Sequence, residues 1–583
     1  MIKYFIYILF IFSYIQADED NSTKFVYFYG DREFDDVKLA EVIDAKTRSF
    51  WQFYKDNNIT IKIDIIPSIK ASLINFYNYQ GYYSSVFSVD EKDNNIDIKI
   101  SKNRPVLITD INISTDYNVT SLINFRVGDR FNSQKFIKIK KHIIDKLLKD
   151  GYCSYELSTK AYVDLEKFTV ELVYRIAKKD ICIFKDINIT GLKTMTKRVI
   201  LSRMRTNQGF TFNSTLVQES SDNLYKLNLF KEIIIDATKK RDNNVTVDVN
   251  VTENKKNYYG EVGLGFDTYI GKRIHGTLSK NNFLGGGRNI NFNFSYSDQN
   301  ELVKLSFFQP AFLDIKDRYA DLFLNLGYSN LEFNGFREKS SEFNAYLEHE
   351  NHRLKFRLGL SIEDILITNV SPKTSVTQAI NSGRFNLLYP YINIIYDHRD
   401  SKINPQFGYY LSYYAEFGGS FQDTPTPFFK MIAEARAIYT LSNLTIATIV
   451  RVGAIDEVLD SGIPESKYFF GGGVNSNRAY KYKSLGVIKS PTQSSIYGAS
   501  SMLNISIEAN YALDNIYENL ALAVFTDNSI LNEKSYDFEG DIISSIGLGI
   551  RYKLNFGVIK VDFAFNRKDF SQNGVSFGIG QAF

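Results

Sequence analysis

The chain has 583 residues, too many for one ordinary domain. Its net charge of +3 excludes a strongly basic nucleic-acid binder. With 46 Phe, 39 Tyr and 1 Trp, aromatics reach 15%, a composition suited to strands and a bilayer interface rather than to a helical enzyme.

Residues 1–17 read as a secretory signal: Lys3 supplies the positive end, Tyr4 to Ile15 the apolar run, and Ala17 a small residue before Asp18-Glu19-Asp20. Ile15 leaves the cleavage point open. The apolar run is too short to cross a membrane as a helix, and no stretch of 18 apolar residues follows it. An exported chain with this pattern is either soluble or a β-barrel.

From about Asn21 to Asn254 one pattern, strand, two helices, two strands, is read three times, over 21–103, 104–180 and 181–254. The first copy opens with Lys24 to Tyr29, carries a helix ending near Tyr79, and ends on alternating Ile96, Ile98 and Ile100. The second opens with Val106 to Ile113 and carries a helix from Ser133 to Lys149, with Phe136, Ile139, Ile143 and Leu147 on one face. Its lysines form either a basic docking surface or a solvated face. The third opens with Ile183 to Ile189, has a helix over about Asn213 to Leu227, and ends on Val245, Val247, Val249 and Val251, alternating as a half-buried strand does. Cys153 and Cys182 are the only cysteines; they either pair in an oxidising compartment or stay as two buried thiols. His349 and His352 have no acidic or thiol partner set nearby, so no metal site is expected, and no cofactor motif or paired nucleophile and base is present.

From Asn257 to Phe583 the period becomes two. Leu354, Phe356, Leu358, Leu360 and Ile362 alternate with Lys355, Arg357, Gly359, Ser361 and Glu363. At roughly 20 residues per strand and connection, residues 257–583 hold about 16 strands, an even number as bacterial single-chain barrels have. Near the end, Gly471, Gly472 and Gly473 precede Arg478, Tyr480 and the run to Lys483. No Gly-Lys-Ser/Thr follows, which excludes a phosphate-binding loop.

These features resemble the BamA/TamA superfamily of outer-membrane assembly barrels, and its TamA-like members in particular. Tyr468 to Leu485 resembles the arginine-bearing tip of the sixth extracellular loop. Tyr396 to Asp400 with Asn404, Pro405 and Gly408 resembles the D-x-R-D…P-x-x-G turn. Gly263 to Asp267 with Asn282 to Gly287 resembles the opening hairpin. Gln572, Gly574, Phe577, Ile579 and the C-terminal Phe583 stand at β-signal spacing. The repeats resemble POTRA (polypeptide transport-associated) domains. The resemblance implies an α+β periplasmic region of three βααββ POTRA repeats, then an all-β transmembrane barrel of about 16 antiparallel strands over 257–583. It implies a bacterial outer-membrane location, with the lipid bilayer, unfolded client outer-membrane proteins and a TamB-like periplasm-spanning protein as partners, and neither nucleic acid nor an enzymatic activity. It further implies a loop folded into the lumen and anchored by Arg478 on Glu508 and Asp527, with a seam between Tyr259 to Asp267 and Gly574 to Phe583 where clients insert. Strand parity allows both acids to face inward. The chain departs from the family's Val/Ile-Arg-Gly-Phe/Tyr in reading Asn477-Arg478-Ala479-Tyr480. The functions to separate are TamA-like assembly or secretion of β-barrel and autotransporter clients, BamA-like general barrel assembly, a two-partner secretion transporter, and a passive porin with a periplasmic stalk.

Overall fold

The computed structural model describes residues 23–47, 58–267, 271–316, 318–333, 336–368, 382–421, 426–457, 462–487, 496–514, 517–554 and 557–579. Residues 1–17 and Phe583 lie outside them. The chain forms two compact units. One comprises the residues up to Asn188 with 205–219 and 235–248; the other comprises 189–204, 220–234 and the chain from Val249 onward.

In the first repeat, Thr23–Asp31 pairs in parallel with Asn95–Ser101, while Val86–Glu91 and the short Thr60–Lys62 take the sheet edges. Helices Asp36–Val42 and Ile69–Tyr79 bury Leu39, Ile69, Leu73 and Tyr77 against the inward row Ile96, Ile98 and Ile100. The alternating isoleucines form the strand because only one face of this sheet is covered.

The second repeat keeps the plan: Leu107–Thr115 runs parallel to Thr169–Lys178, which pairs antiparallel with Tyr155–Asp164. Its long helix, Ser133–Lys149, starts where the Asn132 side chain accepts from the Lys135 amide at 2.8 Å. Ile139, Ile143 and Leu147 are its buried stripe. The earlier helical segment is a single 3-10 turn, Thr120–Leu122. Val119, Thr120 and Ile123 are β-branched, and Asn118 and Asn124 compete for backbone hydrogen bonds, so this segment has little to sustain a full helix. In the third repeat, helices Lys197–Leu201 and Ser214–Tyr225 accompany strands Ile183–Thr190, Phe230–Arg241 and Asn244–Glu253, the last lying centrally.

Cys153 and Cys182 are joined in a disulfide, with Cα atoms 5.8 Å apart. Between them the Gly151 carbonyl accepts from both the Cys153 and Cys182 amides at 3.0 Å. The bond ties the end of the second repeat's helix to the residue that precedes the third repeat's first strand.

The remaining strands form one 16-stranded sheet in sequential order, from Tyr258–Asp267 to Asn573–Ile579, each paired antiparallel with the next. Leu354, Phe356, Leu358, Leu360 and Ile362 are all exposed on its outer face, whereas Ser361 and Glu348 are buried within. A continuous apolar exterior of this extent is a lipid-facing surface. The first and last strands come within 8 Å of each other, Cα to Cα. Among the described residues no ladder of hydrogen bonds joins them.

The turn Asn282 to Gly287 connects the second and third barrel strands, Gly271–Lys280 and Asn289–Ser297, rather than the opening pair. It meets the third repeat there: Asn282 donates to the Thr194 hydroxyl at 2.7 Å, and the Gly286 amide donates to the Thr194 carbonyl at 3.1 Å. Glu253 gathers the same segment, accepting from the amides of Lys193, Thr194 and Met195 and from the Thr194 hydroxyl. Nearby, Arg203 pairs with Asp321 at 2.7 Å, and Arg198 donates to the Phe312 carbonyl at 2.9 Å.

Burial alone would raise the Glu253 carboxyl, but the Thr194 hydroxyl and the three amides outweigh it and hold it below the usual carboxylate range. A depressed acid stabilises the folded form above its unfolded value, about 4.3, and that contribution is lost as pH falls through the folded value. Protection of the Lys193 to Met195 amides from hydrogen exchange should therefore fall as pH drops below about 4.3. Glu253→Gln should lose that protection already at neutral pH. Peptide mapping without reductant should recover Cys153 and Cys182 in one linked species. Replacing both with serine should cost the repeats about 2–4 kcal/mol, read as proteolysis at lower urea.

Candidate functional site: the lumenal loop and its charge network

Strands Leu444–Glu457 and Ser501–Ala512 are joined by a long loop. Counted from the first strand, this is the sixth connection at the end of the barrel opposite Asn282 and Thr194. Bridges Phe469 to Ala499, Gly471 to Leu485 and Val487 to Tyr497 join three short stretches of it, and the 471–485 segment forms a hairpin with Arg478 near its tip. Gly472 and Gly473 take φ of +98° and +91°, which L side chains rarely adopt. A Cβ on Gly472 would stand 2.2 Å from the Lys481 carbonyl oxygen. The glycines thus let the two sides of the hairpin close on each other.

At the tip, Arg478 is 2% exposed. Its Nε and Nη2 donate to the two oxygens of Asp527, each at 2.9 Å, and its own amide adds a third contact at 3.0 Å. Nη1 donates to Glu508 at 2.7 Å. The guanidinium carbon lies 3.3 Å from the Phe525 ring centroid. The fork geometry of arginine accounts for this set: one plane satisfies a bidentate carboxylate, a second acid and an aromatic face.

The network continues beyond the residues expected from the sequence. Arg551 donates to Glu508 at 2.9 Å and to Asp562 at 2.6 Å. Asp562 also lies 3.7 Å from Arg478. Lys560 is buried too. Three buried carboxylates are therefore matched by three buried cations from four strands and the loop. Arg551 and Asp562 were legible in principle, since each is a charge at inward parity, between outward Ile550 and Tyr552 or Val561 and Phe563.

Both departures from the family motif are accommodated. Ala479 has no positive φ and packs with Phe525, Ala564 and Tyr480, so a methyl group fits where the family has glycine. Asn477 is fully buried and donates to the Ile543 carbonyl at 3.0 Å, a polar tie in place of an apolar contact. The Tyr480 hydroxyl accepts from Asn566 at 2.6 Å.

The loop also carries an apolar plug. Phe469, Tyr497 and Ala499 are buried together with Phe333, Phe336, Ile365, Ile367, Phe385, Leu387 and Phe428. The inner face of the seventh strand, Leu354–Thr368, passes from Arg357 and Ser361 to Ile365 and Ile367 along its length. The lumen is thus polar deeper down, and at the mouth an apolar cluster lies beside the buried Glu338, Glu416 and Lys467.

Other expected features are placed as follows. Asp397 holds Arg399 through two contacts, 2.9 and 3.0 Å, and Asp400 accepts from the Gln406 amide at 2.9 Å, which closes the turn before strand Phe407–Ser420. Gly574 and Ser576 face inward on the last strand, and Val575 and Phe577 outward. Gln572 sits in the turn before it, and the backbone of Ile579 ends it. His349 Nδ1 lies 2.7 Å from the Tyr319 carbonyl, and among the described residues no group of His, Cys, Asp and Glu could hold a metal ion.

Residues 282–583 match the family model of the Omp85 superfamily domain. The chain belongs to the Omp85 superfamily. Residues 105–179 and 183–254 match the surface antigen variable number repeat, the POTRA model. The outer membrane assembly factor BamA of Neorickettsia risticii is 21% identical, aligned over 92% of this chain and 74% of its own length. BamA of Buchnera aphidicola is 25% identical over 45% of this chain, which spans 44% of that relative. The crystal structure of BamA from Haemophilus ducreyi lacking POTRA domains 1-3 shares the fold, with a TM-score of 0.53, 17% identity, and coverage of 81% of this chain and 98% of that one. As an Omp85 protein the chain sits in the outer membrane, with its POTRA repeats in the periplasm.

Arg478→Ala should leave a folded, heat-modifiable barrel on semi-native gels while exposing the loop tip to external protease. Leaving Asp527 without its guanidinium, and Glu508 with Arg551 alone, should cost the anchored tip about 3–5 kcal/mol. Arg478→Lys should rescue the tip only in part, because an ammonium cannot make the forked contact.

Proposed function

We propose that this Omp85 protein is an outer-membrane translocation and assembly factor of the TamA-like kind, inserting or secreting β-barrel and autotransporter clients. The observation that carries this reading is a loop pinned from within to strands near a seam at which, among the described residues, no hydrogen-bond ladder joins the first and last strands. Arg478 reaches the twelfth, thirteenth and fifteenth strands through Glu508, Asp527 and Asp562, so the seam's flank is braced from the lumen. Gly574 and Gly578 lie in the last strand, and interior glycines weaken strand pairing. A client strand can add to such an edge by main-chain hydrogen bonds, with the periplasmic repeats offering further edges. A TamB-like periplasm-spanning protein is the partner this reading implies.

The apolar plug speaks against a passive porin, since an open water-filled bore needs a polar lining throughout. BamA-like general assembly is the second reading, favoured by the curated relatives, which bear that name.

Depletion followed by an inventory of outer-membrane proteins tests the two. Selective loss of autotransporter-type or a few complex barrels supports the TamA-like role; collapse of most barrels supports the BamA-like one. Cysteine pairs placed across residues 260–264 and 574–578 should, when oxidised, stop client insertion. Undiminished insertion by the cross-linked protein would rule out opening at the seam.

A further inference from the structure

The loop is fastened at its base as well as at its tip. Lys467 ends the 3-10 turn Glu465–Lys467 and is 8% exposed. Its ammonium lies 3.2 Å from Glu363 and 3.6 Å from Glu416, and 4.0 Å above the Tyr389 ring centroid. Its own carbonyl accepts from Lys430 Nζ at 2.5 Å. The Tyr389 hydroxyl donates to Glu363 and the Tyr414 hydroxyl to Glu416, so both carboxylates are held in place to receive the ammonium. These wall residues come from the seventh, eighth, ninth and tenth strands. Arg478 engages the twelfth, thirteenth and fifteenth. The two attachments share no strand and no side chain.

We propose that Lys467 is a second positioning residue, an anchor independent of Arg478, and that either attachment alone keeps the apolar plug seated in the extracellular mouth. The chemistry of the two ends fits separate duties. At the tip a forked guanidinium fixes orientation; at the base a compact ammonium, between two carboxylates and over an aromatic ring, fixes position. Two lysines face two carboxylates at the base, so removing Lys467 leaves an uncompensated buried acid there, whatever happens at the tip. Phe469, two residues along, is part of the plug itself, so an anchored base holds the plug even when the tip is free.

Conductance of the full chain in planar lipid bilayers tests this without reference to any client. Lys467→Met and Arg478→Ala, each alone, should stay within about twofold of the wild-type open fraction, and the double variant should exceed it at least tenfold. Each sample is first shown to migrate as a folded barrel. Should Lys467→Met fail that control, Glu363→Gln with Glu416→Gln removes the same attachment from the wall side and replaces it in the comparison. Lys467→Arg, which keeps the charge, should stay closed in the Arg478→Ala background. Arg478→Ala alone as conductive as the double would overturn the proposal, as would a double variant as closed as wild type. Lys467→Met alone as open as the double would make the base the sole anchor and equally overturn it.

Discussion

A guanidinium buried among carboxylates inside a membrane cylinder is the constraint on which the rest depends. Arg478 cannot shed its proton, and burying it without partners would cost several kcal/mol. Asp527 carries the same penalty without Arg478, while Glu508 keeps Arg551 as a second partner. Each side of the contact is therefore tolerable only while the other is present, and the loop must stay folded inward for the wall to keep its own charges neutralised. Arg551 and Asp562 extend the dependence across the fourteenth and fifteenth strands. This makes the wall near the seam a single electrostatic unit with the loop as one of its members.

Above that network the lumen changes character. At the mouth an apolar cluster joins the ion pairs of Lys467, whereas the lower lumen relies on the charge network of Arg478. The division is sensible on physical grounds. Apolar packing seals the extracellular end without directional requirements. Charged, forked contacts fix which strand the loop engages. Neither alone would both close the bore and set the loop in register.

Much of this was written plainly in the chain. Alternation over Leu354 to Ile362 marked the barrel because one face had to meet lipid, and the helix Ser133–Lys149 was readable to the residue because its apolar stripe and its Asn132 cap agree. Inward parity of Glu508 and Asp527 was also readable, since period two assigns faces without any tertiary knowledge. Whether the cysteines pair could not be read, because the geometry that brings Cys153 to Cys182 depends on how a glycine turn folds after a helix. The turn at Asn282 to Gly287 was placed one hairpin too early, since its glycine run serves contact with Thr194 rather than barrel opening. The base contact of Lys467 was hidden because its partners lie on strands far away in sequence, and a lysine in a loop carries no mark of burial. The second repeat's missing helix reflects β-branched residues that a coarse repeat pattern passes over.

The Glu253 cradle has a mechanical corollary. Residues 193–195 are clasped by one carboxylate and, through Thr194, joined to the turn between the second and third barrel strands, while Arg203 grips Asp321 on the fifth. A tug on this short segment would be delivered to the barrel's early strands and hardly dissipated on the way. Residues 189–204 and the early barrel strands would thus yield to load as one piece.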